Sequence, residues 1–198
     1  MYSPGINKDI LKQYQSCNTC IKHSKSQRHE PLQSHPTPWH TVATDLFEIK
    51  NSKYLLLVDY YSRFPVLHKL GSTTSKVLVQ EMKAVFVELG VPNMIVSDSR
   101  PQYTLAEFKD FTKQWQIEHR VSSPRNPQSN GMAERCVQTM KASLIKTMEE
   151  GEDMDLALLT YKTTPLSQSL PSPAELLNSR KYKTLLPTHI VPTRLQES

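Results

Sequence analysis

Three consecutive apolar segments joined by very short connections constrain the fold of this chain most. They read "WHTVATDLFEI" from Trp39, "KYLLLVDYYS" from Lys53 and "FPVLHKL" from Phe64, and they are rich in valine, leucine and aromatic residues. This composition is typical of β-strands. Connections as short as "NSK" and "SR" permit only antiparallel neighbours, because a parallel crossover needs a dozen or more residues. The segment therefore predicts three successive antiparallel strands.

After Leu70 the pattern changes to an alternation of helices and strands. We predict a helix at "SKVLVQEMKAVFVEL", which stops at Gly90-Val91-Pro92, and then a strand at "NMIVSD", a helix at "LAEFKDFTKQW" and a strand at "IEHRVSS". A long helix from about Met132 to Glu149 follows. Two shorter helices are predicted at "DLALLTYKT" and "SPAELLNSRK", the second with a serine cap before a proline. The order predicts a mixed α/β sheet flanked by helices.

Composition limits the class of protein only broadly. A net charge of +5 and a pI near 9.0 allow a polyanionic partner without requiring one. Cys17, Cys20 and Cys136 are an odd number of cysteines and make no disulfide framework, which suits a reducing compartment. No apolar run approaches the roughly 18 residues of a membrane span, so we expect a soluble, intracellular protein without a membrane partner.

Three carboxylates stand in positions that need an explanation. Asp45 shares a strand face with Ala43, Phe47 and Ile49, where a lone charge is costly unless something compensates it. Asp98 ends the apolar run Met94-Ile95-Val96, at the strand end where α/β sheets commonly bind ligands. Taken singly, Asp45 could be a salt-bridged core residue and Asp98 a turn initiator before Ser99.

The third carboxylate, Glu134, lies in the first turn of the long helix. It flanks the apolar stripe and is followed along the same edge by Gln138 and Lys141; the stripe itself consists of Ala133, Val137, Met140, Leu144 and Met148. An acid at that point also favours the helix dipole, so position alone decides nothing.

Two strand aspartates and a helix glutamate could hold two Mg²⁺ ions for phosphoryl transfer. Competing acids are Asp59, Glu48 and Glu81, of which we interpret Asp59 as a turn cap beside Ser62.

Spacing and local sequence resemble one known family. Between Asp45 and Asp98 lie 52 residues, and between Asp98 and Glu134 lie 35. This resembles the Asp, Asp, 35-residue, Glu (DDE) motif of retroviral and retrotransposon integrases. The segments "WHTVATDLF", "LLLVDYYSRFP", "GVPNMIVSDSRPQY", "EFKDF", "HRVSSPRNPQSNGMAERCVQTMK" and "TTPLSQSLPSPAELL" are similar to the integrase core of vertebrate gypsy-type long-terminal-repeat retrotransposons, over roughly residues 36–190.

The resemblance implies a ribonuclease H-like fold with a mixed five-stranded sheet, and a polynucleotidyl transferase that carries out DNA integration by 3′-end processing and strand transfer. It makes Asp45, Asp98 and Glu134 the catalytic, metal-binding acids for Mg²⁺ or Mn²⁺. It also implies double-stranded DNA as partner, a homo-oligomer and a nuclear location. The polar loop and helix edge are expected to contact DNA through Arg125, Gln128, Asn130, Gln138, Lys141 and Lys146.

Two departures from the family pattern leave activity open. The usual Asp-Asn-Gly-Pro-Gln reads Asp98-Ser99-Arg100-Pro101-Gln102 here, so an arginine replaces a glycine; if that position needs a positive φ, Arg100 brings strain. Residues 1–32 resemble a remnant of the integrase zinc-binding domain with a short helix and a linker. Cys17 and Cys20 provide only half a zinc site, so zinc is not expected.

The core is expected over residues 33–192, with a tail at 193–198. The alternative to an enzyme is a domesticated, non-catalytic DNA-binding or scaffold protein that keeps the fold. A ribonuclease H-type RNA cleaver is a third hypothesis, because it shares the chemistry of the site. The segment "SSPRNPQSNGMAER" favours an integrase over a ribonuclease H-type RNA cleaver.

Overall fold

The computed structural model describes residues 37–122, 131–167 and 169–185, with the backbone alone for residues 131–136. The predicted zinc-domain remnant at 1–32, Cys17, Cys20 and the tail at 193–198 lie outside the described residues. None of the helices in the described ranges is long and apolar enough to cross a membrane.

A five-stranded sheet forms the centre of the domain, as the sequence predicts. Its strands are β1 (Thr41–Ile49), β2 (Ser52–Asp59), β3 (Pro65–Leu70), β4 (Met94–Ser97) and β5 (Glu118–Val121). They are arranged in the order β3-β2-β1-β4-β5. The first three strands pair antiparallel, which confirms the prediction from their short connections, and β4 and β5 join in parallel.

Helices cover both faces of the sheet. They are α1 (Ser75–Leu89), α2 (Pro101–Thr104), α3 (Ala106–Gln114), α4 (Gly131–Glu150), α5 (Met154–Thr163) and α6 (Pro173–Asn178). The short helix α2 is not anticipated by the sequence pattern, since its four residues are too few to show a period. The remaining helices fall where apolar periodicity and caps predict them.

The two faces of the sheet carry separate cores. One core joins Leu55 and Leu57 of β2 to side chains of α1 and α3, among them Leu78, Met82 and Phe108. The other joins the alternate strand residues to the apolar stripe of α4, and its members include Ala43, Phe47, Ile49, Val137, Met140 and Leu144. The period of two in the strands therefore divides the apolar side chains between two helical layers.

Local chemistry sets several of the helix boundaries. The Thr74 hydroxyl accepts from the Val77 N–H at the start of α1, and Gly90 ends that helix with φ +92°, a conformation that favours glycine. Ser172 and Glu175 form a reciprocal capping box at the start of α6, with Pro173 in the first turn. The predicted serine cap is thus confirmed.

The Asp59 carboxylate is a buried hydrogen-bond acceptor that joins two parts of the chain. Its Oδ1 accepts from the Trp39 N–H at 3.0 Å, just before β1. Its Oδ2 accepts from the Ser62 N–H at 2.9 Å and the Ser62 hydroxyl at 2.6 Å, in the β2–β3 turn. Burial raises the pKa of this carboxyl, and the hydrogen bonds from Ser62 and Trp39 act against that rise. Its interpretation as a turn cap is confirmed.

Replacing Asp59 by alanine leaves these three donors buried without an acceptor. We expect Asp59→Ala to lower the free energy of unfolding by about 3 kcal/mol, because each unsatisfied buried donor costs roughly 1–3 kcal/mol. Asp59→Asn keeps one acceptor oxygen and should lose less. Urea denaturation at neutral pH measures both, with Asp110→Ala on the exposed side of α3 as control. Equal losses at the two positions would contradict this role of Asp59.

Candidate functional site

Asp45 lies in the middle of β1 on the face that α4 covers. Its strand neighbours on that face, Ala43 and Phe47, pack in the core beneath α4. The Asp45 side chain is only 12% exposed, in a position that would otherwise take an apolar residue. A buried carboxylate requires a compensating charge or hydrogen bonds.

The register of β1 with β4 brings Asp98 to the same place. Thr41 pairs with Met94 and Ala43 with Val96, a constant separation of 53 residues. Continued by two residues, this register sets Asp98 level with Asp45. In parallel strands, residues at matching positions share a face. The two aspartates thus meet at one edge of the sheet, as the sequence predicts for the carboxyl end of a strand.

Arg100 bridges the two aspartates. Its Nε lies 3.0 Å from Asp98 Oδ2, and its Nη2 lies 3.7 Å from Asp45 Oδ1. The Arg100 backbone N–H donates to Asp98 Oδ1 at 3.1 Å, and Nη1 donates to the Leu46 carbonyl oxygen. One guanidinium therefore contacts both carboxylates and a strand carbonyl, which its several donors allow.

The backbone at Arg100 is unstrained. Its φ of −61° and ψ of 147° are ordinary extended values, so the positive φ that would strain an arginine is not present at this position. Pro101 follows at the first position of α2, and a residue before proline is restricted to extended conformations. The pair Arg100-Pro101 thus fixes the backbone from which the arginine side chain extends.

Lys141 supplies a second cation to Asp45. Its Nζ lies 3.2 Å from Asp45 Oδ2 and 5.4 Å from the centre of the Phe47 ring. Lys141 is on α4, and residue 134 lies seven residues, or about two turns, earlier in the same helix. The predicted DNA contact of Lys141 stays a prediction, since its side chain is held against the sheet edge here.

Tyr103 and Thr44 support the two aspartates from the opposite face of the sheet. The buried Tyr103 hydroxyl shares a 2.9 Å hydrogen bond with Thr44, next to Asp45. Burial raises the Tyr103 pKa well above its usual range, and the nearby Asp98 and Asp45 charges raise it further. The phenol is therefore neutral and serves as a fixed hydrogen-bonding group beneath the aspartates.

Ser97 and His119 hold the strand end that leads into Asp98. The Ser97 hydroxyl donates to the Asp98 carbonyl oxygen at 2.8 Å and lies 2.8 Å from His119 Nε2. The His119 ring also packs edge-on against Phe108, 4.9 Å between centroids. Burial lowers the His119 pKa, so the ring is neutral at pH 7.

The remaining predicted site residues divide into two groups. Gln138 is exposed on α4, and Lys146 pairs with Glu150 of the same helix at 3.9 Å. Glu134 lies in the first turn of α4, but its side chain is outside the described part of the chain, as are Arg125, Gln128 and Asn130. Their roles stay predictions.

A divalent metal, which the resemblance implies, can be tested against this arrangement. Mg²⁺ and Mn²⁺ prefer oxygen ligands, and Asp45 and Asp98 offer four carboxylate oxygens. All four already face a donor, three from Arg100 and one from Lys141. Among the side chains that the structure describes, which leave out Glu134, no group of three or more His, Cys, Asp or Glu residues is placed to hold a metal ion. Arg100 and Lys141 therefore compete with a divalent metal for the oxygens of Asp45 and Asp98.

Sequence reasoning missed the roles of Arg100 and Tyr103 at this edge. Arg100 stood out as a departure from the family pattern, but the sequence analysis predicts only backbone strain there and not a contact with two acids. Tyr103 gave one available signal, because it follows Asp98 within five residues, in the short helix that begins at Pro101.

Comparison with known proteins identifies related sequences. The sequence-family model described as "Integrase core domain" matches residues 35–127. The chain is 32% identical to the uncharacterized protein K02A2.6 of Caenorhabditis elegans, over 96% of this chain and 16% of that protein. It is 28% identical to the Gag-Pol polyprotein of Walleye dermal sarcoma virus, over 85% of this chain and 10% of the polyprotein. The chain therefore spans less than a fifth of either relative.

Solved structures share the fold. A chain of the simian T-cell lymphotropic virus intasome, in complex with PP2A regulatory subunit B56 gamma, superposes with a TM-score of 0.63 at 23% identity, covering 93% of this chain and 71% of that chain. The HTLV-2 integrase catalytic core domain in complex with magnesium gives 0.56 at 22% identity, covering 72% and 98%. The predicted ribonuclease H-like mixed sheet is thereby confirmed.

The lowered pKa of His119 gives a pH dependence of stability. Because the folded pKa lies below the ordinary value of 6.5, the unfolded chain binds the proton more readily. The contribution of neutral His119 to the free energy of unfolding is therefore complete above pH 6.5. It is lost as the pH falls from there through the folded pKa. Urea denaturation between pH 7.5 and about 5 should show this decline in the wild type and less of it in His119→Gln.

The matched control is His40→Gln, which changes a half-buried histidine just before β1. If wild type and His119→Gln lost stability equally over that range, the assignment of the decline to His119 would be wrong.

Proposed function

We propose that this chain is an integrase core domain of the retroviral type, which the match of residues 35–127 supports, and that it binds double-stranded DNA in the cleft beside Asp45 and Asp98. A gypsy-type long-terminal-repeat retrotransposon is the proposed origin, supported by the sequence segments that resemble such elements. Binding without strand cleavage is the function that the geometry favours. The observation that carries this choice is the Arg100 bridge, which engages both aspartates.

The cleft is lined by Lys53, Gln102 and Thr73, with one acid, Glu48. Arg100 and Lys141 also line it, but their charges face Asp45 and Asp98, so Lys53 is the cation proposed to contact DNA. Phosphate oxygens accept from lysine and arginine, and hydroxyl and amide groups add neutral hydrogen bonds. The cleft can therefore follow a DNA backbone at a place where the chain's net charge of +5 also attracts a polyanion.

The helix α4, which carries Lys141, extends beyond this cleft. Gln138 is exposed there, and Lys146 lies further along the same helix. Arg125, Gln128 and Asn130, in the loop before α4, complete the proposed DNA track from the sequence alone. Backbone contacts of this kind position a protein on DNA and carry little sequence information.

A second candidate function is metal-dependent phosphoryl transfer on DNA, with 3′-end processing and strand transfer. The observation that favours it is the register of β1 and β4, which sets Asp45 level with Asp98. Mg²⁺ or Mn²⁺ would be its cofactor, and Glu134 its third acid. The Arg100 bridge argues against it, because the guanidinium contacts one oxygen of each aspartate and competes there with a metal ion.

Self-association and a nuclear location are part of the same proposal. The HTLV-2 integrase catalytic core domain has been solved in dimeric and trimeric forms, which supports a homo-oligomer for a chain of the same fold. The nuclear location is proposed because the proposed partner, double-stranded DNA, lies in the nucleus.

DNA binding is tested by fluorescence anisotropy with a labelled duplex at several salt concentrations. We expect affinity to fall steeply with salt, since each phosphate contact makes the slope of log K against log salt more negative by about 0.9. Lys53→Ala should weaken binding to all sequences alike and reduce that slope by roughly one. Lys113→Ala, on the exposed side of α3, removes the same charge from the opposite helical layer and is the control. An affinity that does not change with salt concentration would contradict the assignment of the cleft as the DNA site.

Catalysis is tested by incubating the protein with duplex oligonucleotides and Mg²⁺ or Mn²⁺. We expect the wild type to give no more nicked or joined product than Glu134→Gln, because Asp45 and Asp98 are engaged by Arg100. Metal-dependent product from the wild type that Glu134→Gln abolishes would instead establish the second candidate function.

A further inference from the structure

The Asp45–Asp98 pair poses an electrostatic problem that the fold itself creates. The β1–β4 register forces the two carboxylates onto one face at the same level, and the Asp45 side chain is largely withdrawn from water. Two acids in such a place repel each other, and this repulsion must be offset by cations. The expectation from resemblance is that divalent metal ions provide the offset.

In this chain a side chain provides it. Arg100 contacts Asp98 through Nε at 3.0 Å and Asp45 through Nη2 at 3.7 Å, and its backbone N–H donates to Asp98 at 3.1 Å. Lys141 takes the remaining Asp45 oxygen at 3.2 Å. Two negative charges therefore face two positive charges, so these four groups are neutral together.

The arginine is built into this position. Pro101 confines Arg100 to its extended backbone, and the guanidinium is tied to the strand by its hydrogen bond to the Leu46 carbonyl oxygen. A divalent ion between the aspartates would have to displace the guanidinium and would add two positive charges beside Lys141. Both effects lower the affinity for metal.

We infer that Arg100 replaces the divalent cation at the Asp45–Asp98 pair, so that this chain holds its two aspartates together without metal. The inference rests on the site geometry and does not depend on DNA binding. It predicts that the aspartates become a metal site only when the guanidinium is removed.

Manganese binding and thermal stability test the inference without any DNA or activity. Mn²⁺ affinity is measured by the electron paramagnetic resonance signal of free Mn²⁺, and melting temperature is measured in EDTA and in MnCl₂. We expect wild-type melting to be the same in both solutions. Arg100→Gly should melt lower in EDTA and regain stability with Mn²⁺, because a ligand of the folded state stabilises it. Its Mn²⁺ affinity should exceed that of the wild type by about tenfold or more, equivalent to 1.4 kcal/mol.

Two variants separate pairing from simple charge. Lys53→Ala removes one positive charge from the same cleft and should leave Mn²⁺ affinity near the wild-type value. The double variant Arg100→Gly, Asp98→Asn should lose the Mn²⁺ affinity that Arg100→Gly gains. If Lys53→Ala raised Mn²⁺ affinity as much as Arg100→Gly, the specific pairing would be refuted.

If Arg100→Gly fails to fold in EDTA, Mn²⁺ binding and melting temperature of the wild type still test the inference. Wild-type protein that binds Mn²⁺ tightly, melts higher with it, and loses both properties in Asp98→Asn would overturn the inference. Folding of Arg100→Gly that is recovered by MnCl₂ would support it. Arg100→Gln, which keeps hydrogen-bonding capacity without charge, should behave as Arg100→Gly does toward Mn²⁺.

Discussion

The parallel pairing of β1 with β4 is the constraint on which the rest of this domain depends. It joins the antiparallel unit of the first three strands to the alternating half of the chain, and it brings Asp45 and Asp98 to one level. From there the consequences follow in order. Two converging carboxylates need positive charge, and Arg100 and Lys141, which line the adjacent cleft, provide it.

The same edge ties the three layers of the domain to each other. Lys141 reaches it from the helix on one face, and Tyr103, which packs in the core of the other face, reaches it through Thr44. The charged groups therefore do more than neutralise one another. They hold α4 and the α2 turn at fixed positions against the strand ends, in a part of the fold where apolar packing alone would set only the spacing.

Much of the fold could be predicted from sequence because its signals are local. Alternation in β1 to β3, short connections, the Gly90 stop and the Ser172 cap each depend on residues close together in the chain. Asp98 as a strand-end acid and Asp59 as a turn cap were predictable for the same reason. The short helix α2 was missed because four residues carry no period.

The character of the site was harder to predict because it depends on pairs that are remote in sequence. Nothing near Arg100 indicates that its guanidinium reaches Leu46 and Asp45 on another strand. Resemblance predicted three acids and, with them, a metal, since a family pattern records ligands and not the side chains that compete for them. The arginine in place of a glycine was visible, yet its effect required the strand register to interpret.

The parallel register also bears on how such a domain can change over evolutionary time. The two aspartates meet only if β4 pairs with β1 in a register that places them on the same face. A one-residue slip would turn Asp98 to the opposite face. The loops between them are free of this condition. Insertions and deletions can accumulate there without separating the pair, so the residue count between the acids can change while the acids still meet.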